Sequence, residues 1–311
     1  MKFNHKPVLF DDTIELLNIK KDGIYLDGTL GGAGHSSEIL RRLNGSGLLV
    51  GIDQDSSALK KAEEVLSEIN SNYKLFKSNY KDFDSILDSL NIDKVDGFLL
   101  DLGVSSYQFD EGERGFSYNY DAKLDMRMDM SATFSAWDIV NGYSKEELTK
   151  ILRDYSEEKW AARIADLIVK RRNEKPINTT FELVDIIKQA IPAPARRKKG
   201  HPAKKTFQAL RIETNNELDI LRMTIGRMID RLKPGGRMAV ISFHSLEDRI
   251  VKDTFKYYYL DCICPKETPV CVCGKKREVE IITRKPIIAS EQELKDNNRA
   301  HSAKLRVVEK L

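Results

Sequence analysis

The chain is short of cysteine, has almost no surplus of one charge and contains no long apolar run. Four Cys in 311 residues do not make a disulfide framework, and a cytosolic setting would keep them reduced. Lys and Arg number 51 against 48 Asp and Glu, a net charge of +3. That near balance excludes coating of nucleic acid by bulk charge, so any contact with RNA or DNA has to come from a local basic patch. No apolar run approaches the roughly 18 residues that a membrane span needs. The first residues, Met1-Lys2-Phe3-Asn4-His5-Lys6-Pro7, hold no apolar stretch resembling a signal peptide, and the expected setting is cytoplasmic. Internal repeats and low-complexity tracts are missing as well. What the chain does have is 41% hydrophobic and 32% charged residues, enough for a sizeable core.

The first third alternates strand and helix. Gly23 to Asp27 and Gly47 to Asp53 are short apolar runs that end in an acid, and Val95 to Asp101 is a further strand ending in an acid, the pattern of strands buried on both faces. Between them lie helical stretches, one through Ile39, Leu40 and Leu43 and one that Ser56 can cap, with Ala58, Leu59, Ala62, Val65, Leu66 and Ile69 on one face. This predicts an α/β fold with a parallel sheet and right-handed crossovers. From about Tyr107 the style changes. Residues 107–130 are loop-rich with many charges and aromatics, and residues 144–191 are mostly helical. A helix through Leu218, Leu221, Ile225, Met228, Ile229 and Leu232 follows, broken by Pro234-Gly235-Gly236. Arg237 to Phe243 then reads as a central strand, with two last strands at Glu278–Thr283 and Ala303–Val308.

The turn Gly28-Thr29-Leu30-Gly31-Gly32-Ala33-Gly34 joins the first strand to its helix. Glycines let backbone approach a ligand closely, and an acid ending the next strand, here Asp53, can accept ribose hydroxyls. Both features suit an adenine cofactor. The loop lacks the regular G-x-G-x-x-G spacing, matching it only if Ser36 replaces the last glycine. Asp27 just before it would repel a pyrophosphate and suits a sulfonium and an amino group. The reading favours S-adenosylmethionine over a dinucleotide; a nicotinamide-dependent oxidoreductase is the first rival, and a non-catalytic RNA-binding factor on the same sheet the second.

A longer set of segments points the same way. Asp27-Gly28-Thr29, Gly34-His35-Ser36, Gly51-Ile52-Asp53-Gln54-Asp55, Asp101-Leu102-Gly103-Val104-Ser105-Ser106, Arg114-Gly115-Phe116-Ser117, Leu124-Asp125-Met126-Arg127-Met128, Thr206-Phe207-Gln208-Ala209-Leu210-Arg211 and Ser242-Phe243-His244-Ser245-Leu246-Glu247 stand in one order. With them the chain resembles the bacterial small-subunit ribosomal RNA methyltransferase H family, from His5 to Arg306. The resemblance implies a class I S-adenosylmethionine-dependent methyltransferase, a Rossmann-like mostly parallel sheet over residues 1–106 and 213–311 with a mostly helical, RNA-recognising insertion over residues 107–212. It implies methylation of the exocyclic amine of a cytidine in the decoding centre of 16S rRNA, within the small ribosomal subunit or an assembly intermediate. Monomer and homodimer both remain open.

By the same resemblance, the cofactor-binding residues are Ala33, Gly34, His35, Asp53, Tyr80, Asp101 and Gln108, with Ala33 standing where the family usually has Gly. A cytidine amine is a poor nucleophile because its lone pair is delocalised into the ring, so acceptors beside it would favour the pyramidal nitrogen of the transition state. Ser105 and Ser106, after the fourth strand, are the first candidates for this role, with Asp125 and His244 as second choices. Arg196, Arg197, Lys198, Lys199, Lys204, Lys205 and Arg211 form the local basic run that could pair with phosphates. Phe116, Tyr118 and Tyr120 could stack on a splayed base. Cys262, Cys264, Cys271 and Cys273 follow C-x-C-x6-C-x-C, which could close a structural zinc site or stand as free thiols.

Overall fold

The computed structural model describes residues 7–104, 112–196 and 200–311. Two compact units make up the chain: Met1–Gly103 with Leu218–Leu311, and Val104–Glu217.

The first unit is built on one seven-stranded sheet. Its strands are β1 (Ile24–Asp27), β2 (Leu48–Asp53), β3 (Tyr73–Lys77), β4 (Val95–Asp101), β5 (Leu232–Ser242), β6 (Val279–Ile281) and β7 (Lys304–Lys310), in the order 3-2-1-4-5-7-6. Strands β3 to β5 pair in parallel, while β7 runs antiparallel to both β5 and β6. This is the mostly parallel, Rossmann-like sheet that the sequence predicts. Helix α1 (Phe10–Leu16) precedes the sheet; parallel neighbours require crossovers, which α2 (Gly34–Leu43), α3 (Ser56–Ser67) and α4 (Phe83–Ser89) serve in the first half. The central strand β4 is buried at every position but its last, including Asp96, whose carboxylate accepts the Ile24 N–H at 3.0 Å and pairs with Lys20 and Lys233. Burying a Leu, Ile or Phe of this kind contributes roughly 1.5–3 kcal/mol. Phe98 packs edge-on against Phe83 of α4, ring centroids 5.4 Å apart. Gly97 has no side chain because the Tyr25 ring lies where one would be, 2.6 Å from an ideal Cβ.

Two boundaries differ from the sequence expectation. Asp55, not Ser56, caps α3: its carboxylate accepts the Ser57 N–H at 2.9 Å. An acid at that place also meets the positive end of the helix dipole. Leu232, placed by periodicity on the preceding helix, instead begins β5 opposite Val95. The Val95 N–H donates to Arg231 O at 2.9 Å, which draws the chain into the sheet one turn early. Pro234 and Gly235, the latter at φ +72°, fall in the irregularity where the β4–β5 register shifts before pairing resumes at Gly97 and Arg237.

The second unit holds α5 (Ala136–Gly142), α6 (Lys145–Asp154), α7 (Ala161–Glu174), α8 (Thr180–Ala190), the short α9 (Ala193–Arg196) and α10 (Lys204–Asn215). Ser135, Ser144 and Thr179 each form a capping box with an acid three residues on, so each helix start is written locally in the sequence. Leu148, Ile164, Ile168, Leu183, Ile187 and Leu210 meet in its core. The first unit continues with α11 (Glu217–Asp230), α12 (Ser245–Tyr259) and α13 (Glu291–Asp296). Among the described residues no helix is long and apolar enough to cross a membrane.

Candidate active site

The carboxyl ends of β1, β2 and β4 carry Asp27, Asp53 and Asp101, where parallel sheets bind ligands. The glycine loop is tied to all three strands. Gly28 N–H donates to Leu99 O and Leu30 N–H to Ile52 O, both at 3.0 Å. Thr29 Oγ1 accepts the Asp101 N–H at 2.6 Å, fastening the loop to the end of β4. Asp27 accepts from the Ser36 hydroxyl at 2.7 Å and from the Thr29 N–H at 3.0 Å. An ideal Cβ on Gly28 would lie 2.6 Å from Leu100 Cδ2 and 2.9 Å from Tyr80 Cβ, so Tyr80 sits directly on the loop. Gly31 and Ala33 have φ of +50° and +60°. Ala33, fully buried, thus bears a left-handed backbone that costs a non-glycine residue roughly 1–2 kcal/mol. A glycine at this position would relieve it.

Ala33 is also the N-cap of α2 and supplies no capping side chain, and no acid occupies the first turn. The amides of Gly34 and His35 stand at this uncapped positive end, suited to a carboxylate. Asp53 accepts Gly31 N–H on Oδ2 and Asp55 N–H on Oδ1, both at 2.8 Å. A carboxylate offers about four acceptor positions, so both oxygens retain capacity for hydroxyl donors.

Burial raises the proton affinity of all three acids. Burial pushes Asp101 up to about 8, and the negative charges of Asp27 and Glu247 add to it. Burial also raises Asp27 to about 6, against the hydrogen bonds of Ser36 and Thr29. Asp53 is raised to about 6 by burial, opposed by the amides of Asp55 and Gly31. His35 is lowered to about 4 by burial. Its ring stacks on Phe10, and its Nε2 has no hydrogen-bond partner among the described residues; nor has Asp101 Oδ1. Buried polar atoms are rarely left so, and these two lie beside the loop. Clustered carboxylates with an open acceptor are a site for a cation.

The other sequence candidates divide three ways. Ser105, Ser106, Gln108, Arg197, Lys198 and Lys199 lie outside the described residues. Asp125 and His244 are engaged by their neighbours. Arg127 grips Asp125 in a fork, Nε to Oδ1 at 2.8 Å and Nη2 to Oδ2 at 2.6 Å. His244 is the N-cap of α12: its Nδ1 accepts the Glu247 N–H at 3.4 Å, and Glu247 Oε2 accepts the amides of Phe243 and His244. His244 Nε2 stands 3.1 Å from Glu247 Oε1, but off the line that a hydrogen bond needs. In the basic run, Arg196, Lys204 and Lys205 are exposed. Lys205 Nζ donates to Glu157 O at 2.9 Å. Arg211 is half-buried and forked onto Glu217, at 2.8 and 2.9 Å. Of the aromatics, Phe116 is buried, Tyr118 is stacked on His201 with centroids 4.3 Å apart, and Tyr120 is 56% exposed. The four cysteines converge, every Sγ within 4.8 Å of the others.

With this geometry in place, known proteins show what it belongs to. The family model described as the MraW methylase family matches residues 2–311. The chain belongs to that family. It is a methyltransferase, and the clustered acids, glycine loop and uncapped helix fit its methyl donor, S-adenosylmethionine. Relatives named "Ribosomal RNA small subunit methyltransferase H" align over all of this chain: 58% identity over 313 residues in Acetivibrio thermocellus, and 56% over 311 residues in Lachnospira eligens. A third, from Clostridioides difficile, is 55% identical over 311 residues. The alignments cover 99 to 100% of each relative.

Three polar neighbours of the candidate site were given no site role from sequence: Thr29, Ser36 and Glu247. Ser36 and Thr29 follow Asp27 closely enough for local hydrogen bonding, a usable signal. Glu247 had a signal too, three residues after a cap and opening an apolar helix, but His is not a usual capping residue.

Proposed function

We infer that this protein transfers the methyl group of S-adenosylmethionine to the exocyclic amine of a cytidine in the decoding centre of 16S rRNA. The observation that carries the donor half is the pair of open buried atoms, Asp101 Oδ1 and His35 Nε2, beside an uncapped α2. The acceptor half is supported by full-length likeness to relatives named for the small-subunit RNA.

When bound, S-adenosylmethionine supplies a methyl group activated by a positive sulfur. The chain's own residues do the rest. Asp53 accepts the ribose hydroxyls, and Tyr80 packs on the adenine. The amides of Gly34 and His35 hold the donor's carboxylate. Asp27 sets a negative potential that favours the cation. Asp101 gives up its proton as the cation arrives, and its ionised carboxylate then needs no other counter-charge. Ser105 and Ser106 accept hydrogen bonds from the cytidine amine, favouring the pyramidal nitrogen and placing it in line with the methyl group. Arg196, Lys204 and Lys205 pair with phosphates, which orients RNA without reading its sequence.

The test uses small-subunit particles from cells lacking the protein. Labelled methyl groups should pass to the RNA with the wild type and not with Asp101→Ala or Asp53→Ala, both still folded by circular dichroism. Digestion and mass spectrometry should place the label on a cytidine N4. Label on another base overturns the acceptor, and tight NADH binding without S-adenosylmethionine binding overturns the donor.

A further inference from the structure

The segment between α12 and β6 holds none of the residues assigned to methyl transfer. From Leu260 to Glu278 it forms no helix or strand. Its large apolar side chains do not build a core: Ile263 is 48% exposed, Val270 73% and Val272 82%. A loop of this length without secondary structure has to offset its conformational entropy by other means. Its exit is pinned. Arg277 lies over the Tyr259 ring at 4.0 Å, Lys275 over Tyr257 at 5.0 Å, and Glu278 N–H donates to Tyr258 O at 2.9 Å. Its body converges only on sulfur.

We propose that Cys262, Cys264, Cys271 and Cys273 hold one structural zinc ion through four thiolates. All four Sγ atoms lie within 4.8 Å of one another, with Cys271–Cys273 at 3.5 Å and Cys262–Cys273 at 3.8 Å. A zinc ion with bonds of about 2.3 Å to four sulfurs places them at the corners of a tetrahedron with edges of about 3.8 Å. The same set is not a pair of disulfides, whose sulfurs would stand about 2.0 Å apart; all four cysteines are free. Nor does it suit an iron–sulfur cluster, whose thiolates bind different metal atoms and stand further apart. Backbone amides point at the sulfurs: Ile263 N–H to Cys273 Sγ and Cys264 N–H to Cys262 Sγ, each at 3.4 Å. Such amides stabilise thiolate over thiol and orient it toward a cation. Each C-x-C pair places two ligands on one short stretch, so the ion clips Cys262–Cys264 to Cys271–Cys273 and closes the loop.

Full-length protein, purified under reducing conditions without chelator, should contain one zinc per chain by plasma mass spectrometry and be colourless. A Cys262→Ser/Cys271→Ser variant should lose that zinc with an unchanged far-ultraviolet dichroism spectrum. If the variant does not fold, wild-type protein stripped of metal and titrated with cobalt alone should show the intense visible bands of a tetrahedral four-thiolate centre. Zinc near zero together with no cobalt bands overturns the proposal. Iron in place of zinc overturns the choice of metal, and zinc retained by the double variant overturns the ligand set.

Discussion

His35 Nδ1 and Asp101 Oδ2 face each other at 3.8 Å as two neutral groups, not as an ion pair. The histidine sits at about 4 and the aspartate at about 8, both displaced by burial, so near pH 7 the ring lacks its proton and the carboxyl keeps one. This inversion gives the protein a pH dependence with a definite sign. Between 3.8 and about 8 the folded state holds a proton on Asp101 that the unfolded state releases. Stability therefore falls as pH rises across that window and levels off above about 8, where both states have lost the proton. His35 acts only below 6.5, where the unfolded ring charges and the folded one does not. Asp27 and Asp53, at about 6, also act lower. From pH 6.5 to about 8 the decline therefore belongs to Asp101, at most about 1.4 kcal/mol per pH unit, and it flattens above that. Denaturant melts of the ligand-free enzyme across that range should show it, and Asp101→Asn should flatten it. A wild-type profile that is flat or rising would contradict the assignment.

The same proton couples to the donor. A cation beside Asp101 favours the ionised carboxylate, so binding should release a proton near pH 7 and affinity should rise with pH toward 8, by up to about tenfold per unit. Calorimetry in two buffers of different ionisation enthalpy measures the proton directly. Asp101→Asn should bind more weakly and with no proton release. Equal proton release by wild type and variant would assign the linkage elsewhere.

How much of this was legible in the sequence follows from what each feature depends on. Strands β1 and β2 are apolar runs ending in Asp27 and Asp53, and β4 ends its Phe98-Leu99-Leu100 stretch in Asp101, so both the strands and the acids at their carboxyl ends are local and readable. The reversed direction of β7 is not, because pairing with β5 and β6 depends on partners far along the chain. Leu232 satisfied the helical period and the strand alike, and a tertiary hydrogen bond at Val95 decided it. Charge type in the basic run was legible, but charge availability was not. The fork that occupies Arg211 needed Glu217 to be brought across the end of α10. Likewise, Tyr118 looked like a stacking ring and is one, but its partner is His201.

Gly28 tests how closely Tyr80 and the loop fit. Gly28→Ala would drive a methyl group to 2.6 Å from Leu100 Cδ2 and 2.9 Å from Tyr80 Cβ. Overpacking of this kind costs about 1–3 kcal/mol. Because the displaced group is the one assigned to the adenine, affinity for S-adenosylmethionine should fall along with the melting temperature. Ala33→Gly goes the other way: relief of the left-handed strain, less the added freedom of the unfolded chain, should leave stability unchanged or raised by up to about 1 kcal/mol. Thermal melts and ligand titrations on the two variants check both signs.

Within the basic run, structural and RNA-binding cations should separate experimentally. Arg211 is held by two parallel hydrogen bonds to Glu217, with side-chain exposures of 18% and 10%, a pair largely withdrawn from solvent. Removing one partner leaves the other charge poorly solvated, at a cost of about 3 kcal/mol. Lys at this position cannot reproduce the fork, so Arg211→Lys should recover little of the loss. Arg196 and Lys204 are exposed, and neutralising either should leave the melting temperature nearly unchanged. Each should instead weaken binding to small-subunit RNA and reduce the dependence of log affinity on log salt by about one unit per lost phosphate contact. Salt titrations of RNA binding beside thermal melts distinguish the two groups. If Arg211→Ala melts like the wild type and shallows the salt slope, Arg211 is a phosphate ligand and its fork to Glu217 opens when RNA binds.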